Sequence, residues 1–308
     1  MDKLEQPRDY KITKIPFPDR ERFWKHHVRL ACYFTGAVNI LISEDTDEKT
    51  DRYLVAENDT IVASFCVRES RITKIAYSRT EKGIKTKLLE FLVDQWIELV
   101  RANFGDETKK IKLFFPSCDR KQVEQLGFQF LHQRDRLTLM LSDWKQKESR
   151  EHSLIIRQTS KEDAEPVTRI YIDAYQGTMD EQIFSPDGLN YEDELKYMSS
   201  FLNNQSKSYP IIEPASVVAI SGQEIVGFCY TCNWRGLPLI WDFAVPKKHQ
   251  RKRIGTALLE SVLTNLKMEG YDQIVLFVTR GNDEARKIYD SLGFKEDNCT
   301  LLVLEREI

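Results

Sequence analysis

The stretch DFAVPKKHQRKRIGTALLESVL, Asp242 to Leu263, sets an apolar strand pattern, a basic loop and a helical pattern end to end. The first turn of a helix carries backbone N–H groups without intrahelical partners and the positive end of the helix dipole. A loop running into that end can surround an anion with donors. Gly255 has no side chain, so a phosphate could approach the backbone there. Arg251, Lys252 and Arg253 add charge suited to phosphate. The same run also reads as a solvated basic loop, or as a nucleic-acid or targeting patch. A targeting address needs exposed, flexible chain, whereas this run is hemmed between a core strand and a core helix.

Working outward, apolar and helical periodicities recur through the whole second half. SLIIRQTS, SVVAI, EIVGFCYTC, LPLIWDFAV, QIVLFVT and TLLVLER read as strands. DAEPVTRIYIDAY, NYEDELKYMSSFLNN, IGTALLESVLTNLKMEG and DEARKIYDSLG read as helices, the last two closed by Gly270 and Gly293. The first half offers a similar order: strands in YKITKIPF, YLVAE, TIVASFCV, ITKIAYS, KIKLFFP and LTLMLS, and helices in RERFWKHHVRLACYF, GIKTKLLEFLVDQWIELVRANF and DRKQVEQLG. GIKTKLLEFLV at 83–93 echoes RIGTALLESVL at 253–263, and LGF at 126–128 echoes LGF at 292–294. This reads as an internal duplication. It divides the chain into a domain at 1–145, a polar linker at 146–152 and a domain at 153–308. The mixed order of strands and helices argues for an α/β or α+β fold in each half.

The bulk numbers exclude several classes. The 308 residues carry a net charge of −3, which gives no general pull toward nucleic acid or membrane. No apolar run approaches the ~18 residues of a membrane helix. The first residues lack an apolar signal core. Six scattered cysteines suit free thiols in a reducing, cytoplasmic setting. Cys229 and Cys232 stand three apart on one strand, so they point to opposite faces and cannot chelate a metal together. No metal site is expected.

The second informative stretch is NDEARKIYDSLGF, 282–294. Asn282 can cap the helix start. Ala285, Ile288 and Leu292 form a buried face. Tyr289 lies nearly two turns after Asn282, so both can face one site. Alone, the stretch reads equally as an amphipathic helix with a cap and a packed tyrosine.

Together the two stretches resemble the GCN5-related N-acetyltransferase (GNAT) family. The family signatures are [Q/R]-x-x-G-x-[G/A] at a strand–loop–helix and N-x-x-A-x-x-x-Y-x-x-x-G-F. The second is complete here in Asn282, Ala285, Tyr289, Gly293 and Phe294. The first keeps Gln250 and Gly255, with Arg253 in place of the first glycine. The resemblance covers roughly 153–308. The first half resembles the same fold more faintly: Thr80 and Lys85 depart from the first signature, and Pro116, Asp119 and Val123 from the second, while Gly127 and Phe128 persist. The resemblance therefore implies two tandem GNAT-like domains, each a mixed, mostly antiparallel sheet flanked by helices. The first is expected to be a degenerate copy that has lost its acetyl-CoA site.

The resemblance implies transfer of an acetyl group from acetyl-CoA to a primary amine by direct attack. The backbone of Arg251, Lys252, Arg253, Ile254, Gly255 and Thr256 would hold the pyrophosphate. The strand Asp242 to Val245 would pair with the pantetheine arm. A backbone N–H near Phe243, Ala244 or Val245 would polarise the thioester carbonyl. Asn282 would contact the cofactor arm, beside Ala285. Tyr289 would protonate the leaving thiolate, since a phenol of pKa ~10 can donate to the anion of a thiol of pKa ~8.5. Asp242 is the first candidate for the base, with Asp173 and Glu224 behind it. The region YIDAYQGTMDEQIFSPDGLNYEDELKYM supplies the expected substrate wall, with Tyr175 and Asp180 at its mouth. Its carboxylates and aromatics suit a cationic amine, and equally a solvated acidic face. The acceptor would be a small-molecule or peptide amine, with no nucleic-acid or membrane partner, and a monomer is expected over a homodimer. The alternative is a non-catalytic acyl-CoA-binding or scaffold protein.

Overall fold

The computed structural model describes residues 10–30, 49–68, 70–80, 83–105, 109–116, 120–145, 154–185, 188–205, 209–234 and 236–308. The expected linker 146–152 and Asp119 lie outside them. The chain forms two compact units, Met1–Arg134 with Cys299–Ile308, and Asp135–Asn298.

The first unit contains β1 (Tyr10–Ile15), α1 (Arg20–Leu30), β2 (Asp51–Glu57), β3 (Thr60–Arg68), β4 (Arg71–Tyr77) and a short hairpin of β5 (Arg79–Thr80) and β6 (Gly83–Ile84). Then follow α2 (Thr86–Phe104), β7 (Lys110–Pro116), α3 (Arg120–Gln125) and the start of β8 (Gln129–Met140). Strands β1 to β4 form an antiparallel meander, and β4 pairs β7 in parallel at Arg71↔Lys112 and Ile72↔Leu113. Helix α2 buries Leu88, Leu92, Trp96 and Val100, a stripe at helical spacing, against Phe65 and Phe115.

The second unit begins within β8 and continues with β9 (Ile155–Gln158), α4 (Ala164–Tyr175), α5 (Met179–Phe184), α6 (Tyr191–Leu202), β10 (Val217–Ser221), β11 (Glu224–Trp234) and β12 (Leu237–Ala244). It ends with α7 (Ile254–Met268), β13 (Gln273–Thr279), α8 (Asp283–Leu292) and the start of β14 (Lys295–Glu307). Strands β9 to β12 are antiparallel and β13 joins β12 in parallel. Helices cover both faces. Leu258, Leu259, Val262 and Leu266 of α7 pack with Ile274 and Leu276, whereas Val167 and Ile170 of α4 and Met198 and Phe201 of α6 pack with Phe228 and Tyr230. Cys229 sits in the first of these cores and Cys232 in the second, on opposite faces as the strand period requires.

Both units thus run through an antiparallel meander, a helix, a parallel strand, a second helix and a last strand. The division differs from the sequence boundaries at those last strands. Residues of β14 from Leu301 pair antiparallel with β7, Leu302 opposite Phe115 and Leu304 opposite Leu113, and they belong to the first unit. Leu137, Leu139 and Leu141, at and just beyond the end of β8, are buried in the core of the second. Sequence periodicity reports that a strand exists, not which sheet receives it.

Candidate active site

In the second unit β12 and β13 are paired only at Leu239↔Val275. No residue of Trp241–Ala244 has a partner on β13, so that edge of β12 keeps main-chain groups available. On its other edge β12 carries a bulge against β11: Tyr230 faces Asp242, Thr231 faces Ile240, and Trp241 is the extra residue. A bulge locally re-aims the chain and its side chains, here beside the opening between β12 and β13.

The basic loop leaves β12 through Val245 and Pro246. Gln250 Nε2 donates to the Val245 carbonyl at 3.0 Å, and the Lys247 amide donates to Asp173 Oδ2 at 2.8 Å. Arg251 and Arg253 have φ of 62° and 63°. Left-handed backbone costs a residue with a Cβ about 1–2 kcal/mol. Arg253 therefore keeps the conformation of the glycine it replaces in the signature, at some strain. It is also the N-cap of α7, and no side chain caps that helix. The Ala257 amide is the first to reach back, to the Arg253 carbonyl at 3.0 Å. The amides of Ile254, Gly255 and Thr256 precede it and point from the helix start. Lys252 and Arg253 make no ion pair among the described residues, while Lys248 pairs with Glu224 at 2.6 Å and Arg251 with Glu284 at 3.3 Å. An uncapped helix start reached by left-handed turns and flanked by free cations can hold an anion.

The space a Gly255 side chain would take is filled by the protein itself: a Cβ on it would meet Phe243 Cζ at 2.9 Å and Ile288 Cδ1 at 3.6 Å. Its lack of a side chain seats α7 against Phe243.

On α8, Asn282 is the N-cap, its Oδ1 accepting from the Ala285 amide at 3.2 Å. Its amide nitrogen makes no hydrogen bond among the described residues. Ala285 and Ile288 pack on the α7 core. Tyr289 is 6% exposed, its ring 6.3 Å from Phe243 and 5.7 Å from Phe294. Gly293 ends the helix at φ 96°.

From the other face come α4, α5 and α6. Tyr197 of α6 donates its hydroxyl to Asp242 Oδ2 at 2.5 Å, and Trp241 Nε1 donates to the Tyr197 oxygen. Burial, then the Asp242 charge and this hydrogen bond, push the Tyr197 phenol well above its ordinary range, so it remains a donor. Tyr175 is also raised, by burial first and then by Asp242, Tyr171, Asp180 and Tyr289. Asp180 accepts from Thr279 Oγ1 at 2.6 Å, which ties α5 to the end of β13.

The remaining candidates for a base lie elsewhere. Asp173 is spent on the Lys247 amide. Glu224 is exposed and paired with Lys248, which holds it below the ordinary carboxylate range. Two features escaped the sequence reading. Helix α5 is short, but Thr178 and Glu181 brace its start, Thr178 Oγ1 accepting from the Glu181 amide and Glu181 Oε2 from the Gly177 amide, and the spacing T-x-x-E was there to be read. Tyr197 stood among several tyrosines with nothing in the sequence to single it out. Among the described residues no group of three or more His, Cys, Asp or Glu is placed to hold a metal ion, and no helix is long and apolar enough to cross a membrane.

With this geometry in hand, residues 179–294 match the acetyltransferase (GNAT) family. A GCN5-related N-acetyltransferase from Sphaerobacter thermophilus superposes with TM-score 0.74 at 14% identity, covering 97% of this chain and 95% of that one. A tandem GNAT protein from the clavulanic acid biosynthesis pathway gives 0.71 at 12% identity, covering 97% and 98%. A GNAT-family acetyltransferase from Colwellia psychrerythraea gives 0.60 at 10% identity, covering 97% and 99%. No curated protein matches. Residues 179–294 thus match a family of acetyltransferases, and the chain as a whole has the fold of tandem GNAT proteins.

Proposed function

We propose that the second unit is an acetyl-CoA-dependent N-acetyltransferase acting on a primary amine. The observation that carries this reading is the meeting of an uncapped α7 start, an open edge of β12 and the pair Asp242 and Tyr289 within one unit. Bound acetyl-CoA would supply an acetyl thioester. The amides of Ile254, Gly255 and Thr256, with Lys252 and Arg253, fit its pyrophosphate. The open edge from Asp242 to Val245 fits its amide-bearing arm, as a peptide adds to a sheet, and an amide there polarises the carbonyl oxygen. The free amide nitrogen of Asn282 is available to the same arm. Asp242, held by Tyr197, takes one proton of the acceptor ammonium, which frees the nitrogen lone pair to bond to the carbonyl carbon. Tyr289 gives its proton to the sulfur as the C–S bond breaks, and the second proton shed by the nitrogen restores the Tyr289 phenol.

The first unit also starts α2 without a side-chain cap and leaves β4 beyond Ile72 unpaired with β7. Among its described residues, however, Val123 stands fully buried where the second unit has Tyr289, Tyr77 of β4 stacks on Phe115 of β7 at 5.6 Å, and Lys85 at the start of α2 pairs with Glu57 at 3.2 Å. We take it as a copy that has kept the fold and lost the cofactor site. The test is release of free CoA from acetyl-CoA with an amine present, for wild type and Tyr289→Phe. A fall in kcat of about 100-fold in the variant, with acetyl-CoA affinity within about twofold, supports the acid role. Equal loss of both sinks it.

A further inference from the structure

Thr279 closes β13 and is 1% exposed. The strand period sets it on the side of Val275 and Phe277, which share a core with α4 and α6. Its hydroxyl donates to Asp180 Oδ1 at 2.6 Å, and its carbonyl accepts from the Asn282 amide at 3.0 Å. One residue thus holds both α5 and the turn that leads into Asn282. Gly281 in that turn has φ 100°, and a Cβ on it would meet Met179 Cε at 3.1 Å. The first two residues of α5, Met179 and Asp180, therefore both rest on the end of β13.

The chain before α5 is fastened to the exit of β12. Asp173 Oδ2 accepts from the Lys247 amide at 2.8 Å, and the Gln176 carbonyl accepts from Lys247 Nζ at 3.3 Å. Residues 173–180 therefore run from the end of β12 to the end of β13, across strands that pair only at Leu239↔Val275. Helix α5 has six residues, of which only Ile183 is buried. An isolated helix this short is not stable in water, so its place depends on what it is tied to. Hydrogen bonds to a carboxylate are stronger than neutral ones, which makes the Thr279 hydroxyl the directional hold at this end.

Resting on the acetyl-transfer reading above, we infer that Thr279 is a positioning residue, and that Asp180 acts as the latch on it and not as a ligand for the charge of the acceptor. The hydroxyl seats α5, the wall of the acceptor site, against the turn that presents Asn282. Cutting the latch frees α5 at one end. The bond from Asn282 to the Thr279 carbonyl is between main-chain groups and survives. The hold on the acceptor is then loosened, while the hold on acetyl-CoA is kept.

The experiment compares full-length wild type, Thr279→Val, Thr279→Ser and Asp180→Asn. It reads acetyl-CoA affinity by calorimetry, CoA release with n-butylamine as acceptor, and hydrogen exchange of α5 without ligands. Thr279→Val keeps the shape and removes the donor. It should raise KM for butylamine about tenfold, with kcat and acetyl-CoA affinity within about twofold, and speed exchange of α5 about tenfold. Thr279→Ser restores the donor, and Asp180→Asn keeps an accepting oxygen without the charge, so both should stay within about threefold of wild type. Thermal unfolding of each variant checks its fold. Unchanged KM in Thr279→Val overturns the inference, as does an equal loss in Thr279→Ser. A tenfold loss in Asp180→Asn with Thr279→Ser unaffected also overturns it, since the charge would then be what counts. Where wild type transfers nothing to butylamine, exchange decides: faster exchange of α5 in Thr279→Val, reversed in Thr279→Ser, supports the latch, and unchanged exchange overturns it. Absence of acetyl-CoA binding overturns the acetyl-transfer reading itself.

Discussion

The Tyr197 hydroxyl donates to Asp242 Oδ2 at 2.5 Å, joining helix α6 to the bulged strand β12 at the proposed reaction centre. A hydrogen bond to a charged group is worth about 1.5–3 kcal/mol. Tyr197→Phe should lower kcat/KM about tenfold or more with acetyl-CoA affinity unchanged. Equal loss of both would leave Tyr197 a packing residue only.

Gly255 is where packing and sequence signature meet. Gly255→Ala adds a methyl group 2.9 Å from the Phe243 ring. Helix propensity favours Ala by up to about 1 kcal/mol, but overpacking costs about 1–3 kcal/mol, so the melting temperature should fall. A rise would mean Phe243 yields freely and the close approach is incidental.

The pair of Arg157 and Asp163 ties the start of the second unit together. Arg157 Nη1 and Nη2 each donate to Asp163 at 2.7 Å, and the Ser160 amide adds a third bond. Burial opposes the Asp163 charge, yet these donors hold its carboxyl below the ordinary range. Because the folded-state value is depressed, the stabilisation is present above the ordinary carboxylate range and is lost as pH falls through about 4 and below. Arg157→Met should cost about 3 kcal/mol near pH 7 by stranding a buried charge. The gap between wild type and variant should close in acid, followed by denaturant unfolding. A gap independent of pH would contradict the pairing.

Leu304 is encoded after the second unit but buried in the core of the first. Leu304→Ala should therefore cost the first unit about 2–5 kcal/mol, seen as faster hydrogen exchange in β7 and α2. Loss confined to α7 and α8 would contradict the assignment.

Much of this was legible in the chain itself. The pattern from Asp242 to Leu263 placed β12, the loop and α7, because each has a strong period of its own. Helical spacing set Asn282 and Tyr289 on one helix, and only the resemblance to the GNAT family gave them roles. What escaped has physical reasons. QFLHQRDR, the first part of β8, is too polar to show a strand period. The receiving sheet of β14 depends on partners far away in sequence. The role of Gly255 turns on a ring 12 residues earlier, which only the fold brings to it. Tyr197 acquires its place from the bulge at Trp241, and bulges leave no mark on hydrophobic pattern.

The central claim is that one unit of the two binds acetyl-CoA, at the α7 start. Calorimetric titration of the full-length protein with acetyl-CoA tests it, with Lys252→Glu/Arg253→Glu as control, since both side chains are exposed and outside the core. One site per chain is expected, weakened tenfold or more in the control. Two sites would contradict the degenerate reading of the first unit, and no binding at high micromolar ligand would contradict the account of the second.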